Sequence, residues 1–99
     1  MEEKEIKDQQ IQIEIDDLTA QGVYSNLAII SHSPDEFILD FIFIQPQVPK
    51  AKVRARVITS PGHIKRFLSA LQDNIKKYEE KFGEIKTEPK QVPKIGFVH

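Results

Sequence analysis

One stretch of eight residues decides the fold: Lys50-Ala51-Lys52-Val53-Arg54-Ala55-Arg56-Val57. Cations alternate with small apolar residues along its whole length. Successive side chains of a β-strand point to opposite faces of a sheet, so this alternation predicts a strand with one basic face and one apolar face. Its four cations form a candidate binding surface, here called the basic strand: Lys50, Lys52, Arg54 and Arg56.

Four strands are predicted in all. Ile11–Ile15 alternates isoleucine with polar residues, as a half-buried strand does. Val23–His32 is rich in residues that favour strands. Phe37–Ile44 is apolar on both faces except at Asp40, which predicts a central strand covered on both sides. The fourth strand is Lys50–Thr59, and Asp17–Gly22 is predicted as a loop.

The loops between the last three strands are short, which favours antiparallel neighbours. Pairing His32 with Phe37 across the first turn sets Ala28 opposite Phe41. Pairing Ile44 with Lys50 across the second loop sets Asp40 opposite Arg54, as a cross-strand ion pair.

A long helix is predicted after the sheet. Ser60 is a favourable N-cap residue, Pro61 suits the first helical position, and Gly83 suits the C-terminal cap. One apolar stripe follows at helical spacing: Ile64, Phe67, Leu68, Leu71, Ile75, Tyr78 and Phe82. The predicted fold class is therefore α+β, a four-stranded antiparallel meander followed by one long C-terminal amphipathic helix packed on the sheet.

The predicted organisation is a flexible arm over residues 1–10, a single α+β domain over residues 11–83 and a proline-containing tail over residues 84–99. The tail ends in an apolar segment that either docks on a partner or folds back on its own domain. Its candidate binding motif is Ile95, Phe97 and Val98.

The sheet face shared with the basic strand is too apolar to be left in water, and large exposed apolar patches mark interaction sites. We call it the Ile/Leu face, and its members are Leu27, Ile29, Ile38, Ile42 and Ile44. We expect a second protomer to cover it, so that the protein is a homodimer or a higher homo-oligomer formed through this face, the long helix or both.

Composition narrows the function. The 14 Lys and Arg residues against 15 Asp and Glu residues give a net charge of −1, whereas a dedicated nucleic-acid-binding domain is usually basic. The chain has no cysteine, which suits a reducing cytoplasm, and no segment with the pattern of a signal peptide or membrane span. His32, His63 and His99 match no metal-binding motif. We therefore expect no metal, no cofactor and no enzymatic activity.

Several segments carry a resemblance to a known family. They are Gly22–Ile30, Ser33–Phe37, Asp40-Phe41, Pro49–Val53, Ser60-Pro61 and Lys65–Leu68. With them, about residues 10–85 resemble DUF3467, a small family of unknown function. The resemblance implies a bacterial origin and carries no established activity.

The order of strands followed by a long helix also resembles SecB-like export chaperones. That resemblance implies an oligomer whose grooves hold unfolded polypeptide, although here a proline-containing tail follows the helix where such chaperones have a second helix. The predicted function is a non-enzymatic protein-binding or adaptor protein, with SecB-like polypeptide binding as its most concrete form. The alternative is a nucleic-acid-associated regulator that uses the basic strand.

Overall fold

A computed structural model describes residues 10–87. In chain order they form helix α1 (Asp17–Ala20), strands β1 (Leu27–His32), β2 (Phe37–Ile44) and β3 (Ala51–Thr59), and helix α2 (Pro61–Phe82). The strands make one three-stranded antiparallel sheet with β2 in the centre. These residues divide into two units, one ending at Ile58 and the other beginning at Thr59. The α+β class is as predicted.

The β1–β2 hairpin has the predicted register. His32 pairs with Phe37, and Ala28 pairs with Phe41. Ser33 closes the turn, because its backbone N–H donates to the Glu36 carbonyl at 2.9 Å and its Oγ accepts from the amides of Asp35 and Glu36. A hydroxyl that bonds amides two and three residues ahead favours a turn at this point.

Strand β1 begins at Leu27, four residues later than predicted. The side chain of Asn26 makes the hydrogen bonds to the end of β2 that a further residue of the strand would otherwise make. Its Nδ2 donates to the Ile44 carbonyl at 3.0 Å, and its Oδ1 accepts from the Ile44 amide at 2.8 Å. A side-chain amide has the same donor and acceptor as a peptide group. The backbone groups at the end of β2 are thereby satisfied without another strand residue.

The prediction of a strand over Ile11–Ile15 was wrong. These residues have no regular structure, and Ile13 is 92% exposed. Alternation defines one apolar face, but a strand also requires a neighbour, and these residues pair with none of the three described strands.

Helix α1 occupies part of the predicted loop Asp17–Gly22. Asp16 caps it by accepting a hydrogen bond from the Thr19 amide at 2.7 Å. Hydrogen bonding to the side chain of Thr19, and then to this amide, holds the pKa of the Asp16 carboxyl below its ordinary value. Gly22, with φ of 74°, lies two residues after the helix ends.

Helix α2 has the predicted ends. Ser60 is the N-cap, and its Oγ accepts from the His63 amide at 3.1 Å. Gly83 is the C-cap at φ of 97°, a conformation that disfavours any side chain, and its N–H donates to the Glu79 carbonyl. The predicted packing of this helix on the sheet, and the predicted single domain over residues 11–83, remain predictions.

Two sets of predicted residues lie outside the described part of the chain. They are the arm up to residue 9 and the tail motif Ile95, Phe97 and Val98.

Strand β2 holds the buried residues of the sheet. Leu39 is 5% exposed and Ile42 is 3% exposed, and they lie on opposite faces because they are an odd number of positions apart. Each face of the central strand thus has one buried apolar residue, and the predicted cover on both sides remains a prediction.

We expect Ile42→Ala to cost about 2–5 kcal/mol of unfolding free energy, as truncation of a buried isoleucine does. Ile58→Ala is the matched control, because Ile58 also lies in a strand but is 54% exposed. Urea unfolding of both variants measures the difference. Equal losses would contradict the assignment of β2 as the core strand.

Candidate binding surfaces of the sheet

The hairpin register sorts the apolar residues onto two faces. Leu27 pairs with Ile42, and Ile29 pairs with Asp40, so these residues share the Ile/Leu face. Ile42 is buried, and the other four members of that face are half-buried. The predicted face thus exists as one surface, and its role as an oligomer interface remains a prediction.

Asp40 is the one buried charged residue described, with 4% exposure. Nε of Arg56 donates to its Oδ1 at 2.7 Å, and Nη2 donates to its Oδ2 at 2.9 Å. Such a two-pronged contact satisfies both carboxylate oxygens with one guanidinium. The pair links the central strand to β3 and places Arg56 on the Ile/Leu face.

This pair corrects one prediction. Arg54 was the expected partner of Asp40, and the structure gives that role to Arg56. The prediction closed the second loop with Ile44 opposite Lys50, whereas β3 begins only at Ala51. Residues two positions apart share a face, so the assignment of the basic strand to the Ile/Leu face is unaffected.

The Arg56 hydrogen bonds hold the pKa of the Asp40 carboxyl below its ordinary value, although burial acts in the opposite direction. The same hydrogen bonds raise the pKa of the Arg56 guanidinium. Both groups therefore stay charged across the neutral range.

The other cations of the basic strand differ from Arg56. All four cations are exposed, but within residues 10–87 the Asp40–Arg56 contact is the one ion pair present, so Lys50, Lys52 and Arg54 have no acidic partner there. Three of the four predicted cations are thus unpaired among the described residues, and the fourth holds the sheet together.

The opposite face carries the exposed apolar groups that the sequence did not single out. We call it the Phe face, after Phe37, Phe41 and Phe43 of β2. Ile30 is 59% exposed, Val53 is 43% exposed and Val57 is 47% exposed. Ile30 pairs with Leu39, and Val53 and Val57 alternate with Arg56 along β3, which puts all three on this face. Their residue types were apparent from the sequence, but their exposure was not.

Two histidines fall within the described residues. His32 lies beside Phe37, with ring centroids 5.4 Å apart, and the backbone of His63 contributes to the cap of α2. Residues 10–87 contain no cluster of three or more side chains placed to hold a metal ion. No helix in that range has the length and apolar character needed to cross a bilayer.

A comparison with protein families gives one match, to DUF3467, described as a protein of unknown function, over residues 1–87. The chain belongs to this family. Its match includes the basic strand, both sheet faces and all of α2. No curated protein and no solved structure matches the chain.

The Asp40–Arg56 pair predicts a specific acid dependence. Because the folded-state pKa of Asp40 lies below its unfolded-state value, ionised Asp40 favours the folded protein. This contribution is complete above the unfolded-state pKa of about 3.9 and is lost as the pH falls through the folded-state pKa.

We therefore expect the stability difference between the wild type and Asp40→Asn to shrink as the pH is lowered through that window. Urea unfolding at a series of acidic pH values measures it. Asp35→Asn, which removes an exposed carboxylate from the turn without an ion pair, is the matched control for the change of residue type. A constant offset for Asp40→Asn would show that the ion pair contributes nothing to folding.

Proposed function

We propose that this chain is a non-enzymatic protein-binding module that serves as an adaptor, with the holding of unfolded polypeptide, in the manner of SecB-like chaperones, as its most concrete form. The observation that carries the proposal is the exposure of Ile30, Val53 and Val57 on the Phe face. We retain the cytoplasm as its proposed compartment.

Several apolar side chains lie on this face, and three of them are exposed. Each of the three exposed residues lies in a strand, so its backbone is held in place and little conformational entropy remains to be lost on binding. Covering apolar surface is worth roughly 25 cal/mol per Å². A rigid, apolar sheet face therefore favours an apolar partner such as an extended polypeptide.

Self-association is part of the proposal. Within residues 10–87 the buried apolar residues are Leu39 and Ile42, while the stripe of α2 and the Phe face include many exposed side chains. A surface of this kind favours a homodimer or a higher homo-oligomer.

The resemblance to SecB-like chaperones is supported by element order alone, a sheet followed by a long helix. The sheet has three strands rather than four, which weakens the likeness. Binding of unfolded polypeptide therefore has to be tested directly.

Reduced, carboxymethylated lactalbumin stays unfolded, and a copy labelled with a fluorophore is a suitable probe. We expect it to bind the full-length chain, with an affinity that changes little with salt because apolar contacts are not screened. The double variant Val53→Ser/Val57→Ser should weaken binding several-fold. Fluorescence anisotropy measures both effects.

Lys52→Ser/Arg54→Ser is the matched control, since it alters the same strand on the other face. Loss of binding in the control but not in the valine variant would reject the Phe face as the binding surface. No binding of the probe by the wild type would reject the chaperone form of the proposal.

The second candidate is a nucleic-acid-associated regulator, and one observation favours it. Lys50, Lys52 and Arg54 form an exposed row without an acidic partner among the described residues. A row of cations along a strand is a suitable shape for following a phosphate backbone.

If this candidate is right, affinity for duplex DNA should fall with a log–log salt slope of about −3, since each of three phosphate contacts contributes about −0.9. Replacing all three cations by glutamine should abolish that slope, while Val53→Ser/Val57→Ser should preserve it. A salt-independent affinity would reject the regulator.

A further inference from the structure

Helix α2 carries a heptad pattern along its 22 residues. Six residues of its apolar stripe recur four and three positions apart in alternation: Ile64, Leu68, Leu71, Ile75, Tyr78 and Phe82. With Ile64 at position d, these residues fill every a and d position from there to the end of the helix. The seventh member of the stripe, Phe67, lies at the flanking position g. The outward positions between Arg66 and Glu80 are charged or small. Such a seam, with a and d positions filled over about three turns or more, is typical of a helix that can pair in a coiled coil.

The seam is open in the described part of the chain. No residue of α2 is buried, and Leu68 and Phe82 are 53% and 65% exposed. Tyr78 and Phe82 lie along the seam with ring centroids 4.9 Å apart. The apolar surface that a partner helix requires is therefore already assembled.

We propose that α2 pairs antiparallel with α2 of a second copy of this chain. In the symmetric register, Ile64 lies opposite Phe82 of the second copy, Leu68 opposite Tyr78, and Leu71 opposite Ile75. Each of the two aromatic residues then packs against an aliphatic one. A parallel pair would instead place Phe82 on Phe82 and Tyr78 on Tyr78, crowding one end and underfilling the other, and cores favour large residues facing small ones.

The charged residues that flank the seam also favour the antiparallel arrangement. Position e holds Lys65, Gln72 and Glu79, and the e positions of an antiparallel pair face each other. Lys65 then faces Glu79 of the second copy twice, by symmetry, and Gln72 faces Gln72 across the two-fold axis. In a parallel pair position g faces position e, which sets Phe67 beside Gln72 and Asn74 beside Glu79. No opposite charges meet in that arrangement.

Two contacts within the chain hold side chains that flank the seam, those of Glu79 and Lys81. The Ile85 amide donates to Oε2 of Glu79 at 2.9 Å, which fixes the carboxylate and leaves Oε1 for a lysine. On the other flank, Nζ of Lys81 lies 5.3 Å from the centroid of the Phe82 ring. There the antiparallel register sets Lys81 beside Phe67 of the second copy, where its aliphatic stem covers the ring.

This inference deepens the self-association in the proposed function and rests on it, but it is independent of what the sheet binds. The chain has no cysteine, so single cysteines introduced into the full-length protein report on the pairing without interference. We expect Gln72→Cys to be cross-linked to itself by a short bismaleimide, and Lys65→Cys not to be. A mixture of Lys65→Cys and Glu79→Cys should cross-link. Asp73→Cys, on the outward surface, is the control and should remain uncross-linked.

A charge exchange tests the same pairing by affinity. Lys65→Glu and Glu79→Lys each replace two attractive contacts by two repulsive ones, so each should weaken the dimer about tenfold at low salt. Mixing the two variants in equal amounts should restore the wild-type dissociation constant, because every facing pair is then of opposite charge. Lys76→Glu and Glu80→Lys make the same charge changes on the outward surface and should leave the constant unchanged.

Analytical ultracentrifugation of the same samples gives the dissociation constants, and circular dichroism checks that each variant keeps its helix. Self cross-linking of Lys65→Cys as efficient as that of Gln72→Cys would overturn the antiparallel direction. A dimeric mass without cross-linking at Gln72 would assign self-association to another surface and reject the helix pair alone. A monomeric mass at all concentrations would reject both the helix pair and the proposed self-association, while the polypeptide-binding result would stand separately.

Discussion

The sheet depends on how the carboxylate of Asp40 is satisfied inside its central strand. A buried carboxylate is unfavourable unless it is paired and hydrogen-bonded, and Arg56 meets both requirements at 2.7 and 2.9 Å. The contact therefore does more than add attraction between two charges. It places Arg56 on the same face as Asp40, and so determines which residues of β3 lie on each face. A shift of β3 by one position would direct its cations to the Phe face and leave Asp40 buried without a partner.

The parts of the fold that were predicted from the sequence are those set by local chemistry. Strand β2 has its predicted bounds because both faces are apolar, and the hairpin has its predicted register because Ser33 determines the turn. The ends of α2 follow from Ser60 and Gly83. One failure was local, since the cap residue Asp16 signals the short helix α1 that was predicted as a loop. The other two were non-local. Nothing in Ile11–Ile15 itself reveals that no described strand lies beside it, and the sequence of the second loop does not determine whether Arg54 or Arg56 reaches Asp40.

The candidate surfaces show the same division. The Ile/Leu face and the basic strand were predicted because period-two alternation assigns residues to faces without knowledge of their neighbours. The exposure of Ile30, Val53 and Val57 was missed, because exposure depends on what packs against a face, and that is decided by distant parts of the chain or by another molecule. The role of Arg56 was missed for the same reason. Four cations in a row look equivalent in sequence, yet one buried carboxylate gives Arg56 a structural role and leaves the other three without an acidic partner among the described residues.

The described residues bury few apolar side chains, so we expect the stability of the fold to depend on association. A chain of 99 residues has limited surface to bury on its own, and here burial is concentrated on Leu39 and Ile42. Apolar surface on α2 and on the Phe face contributes to stability only once something covers it. If a second copy covers the helix, as we propose, the free energy of unfolding includes the free energy of dimerisation and rises with protein concentration. The seam of α2 would then act on stability through the population of dimer, whereas the Asp40–Arg56 pair acts within each sheet.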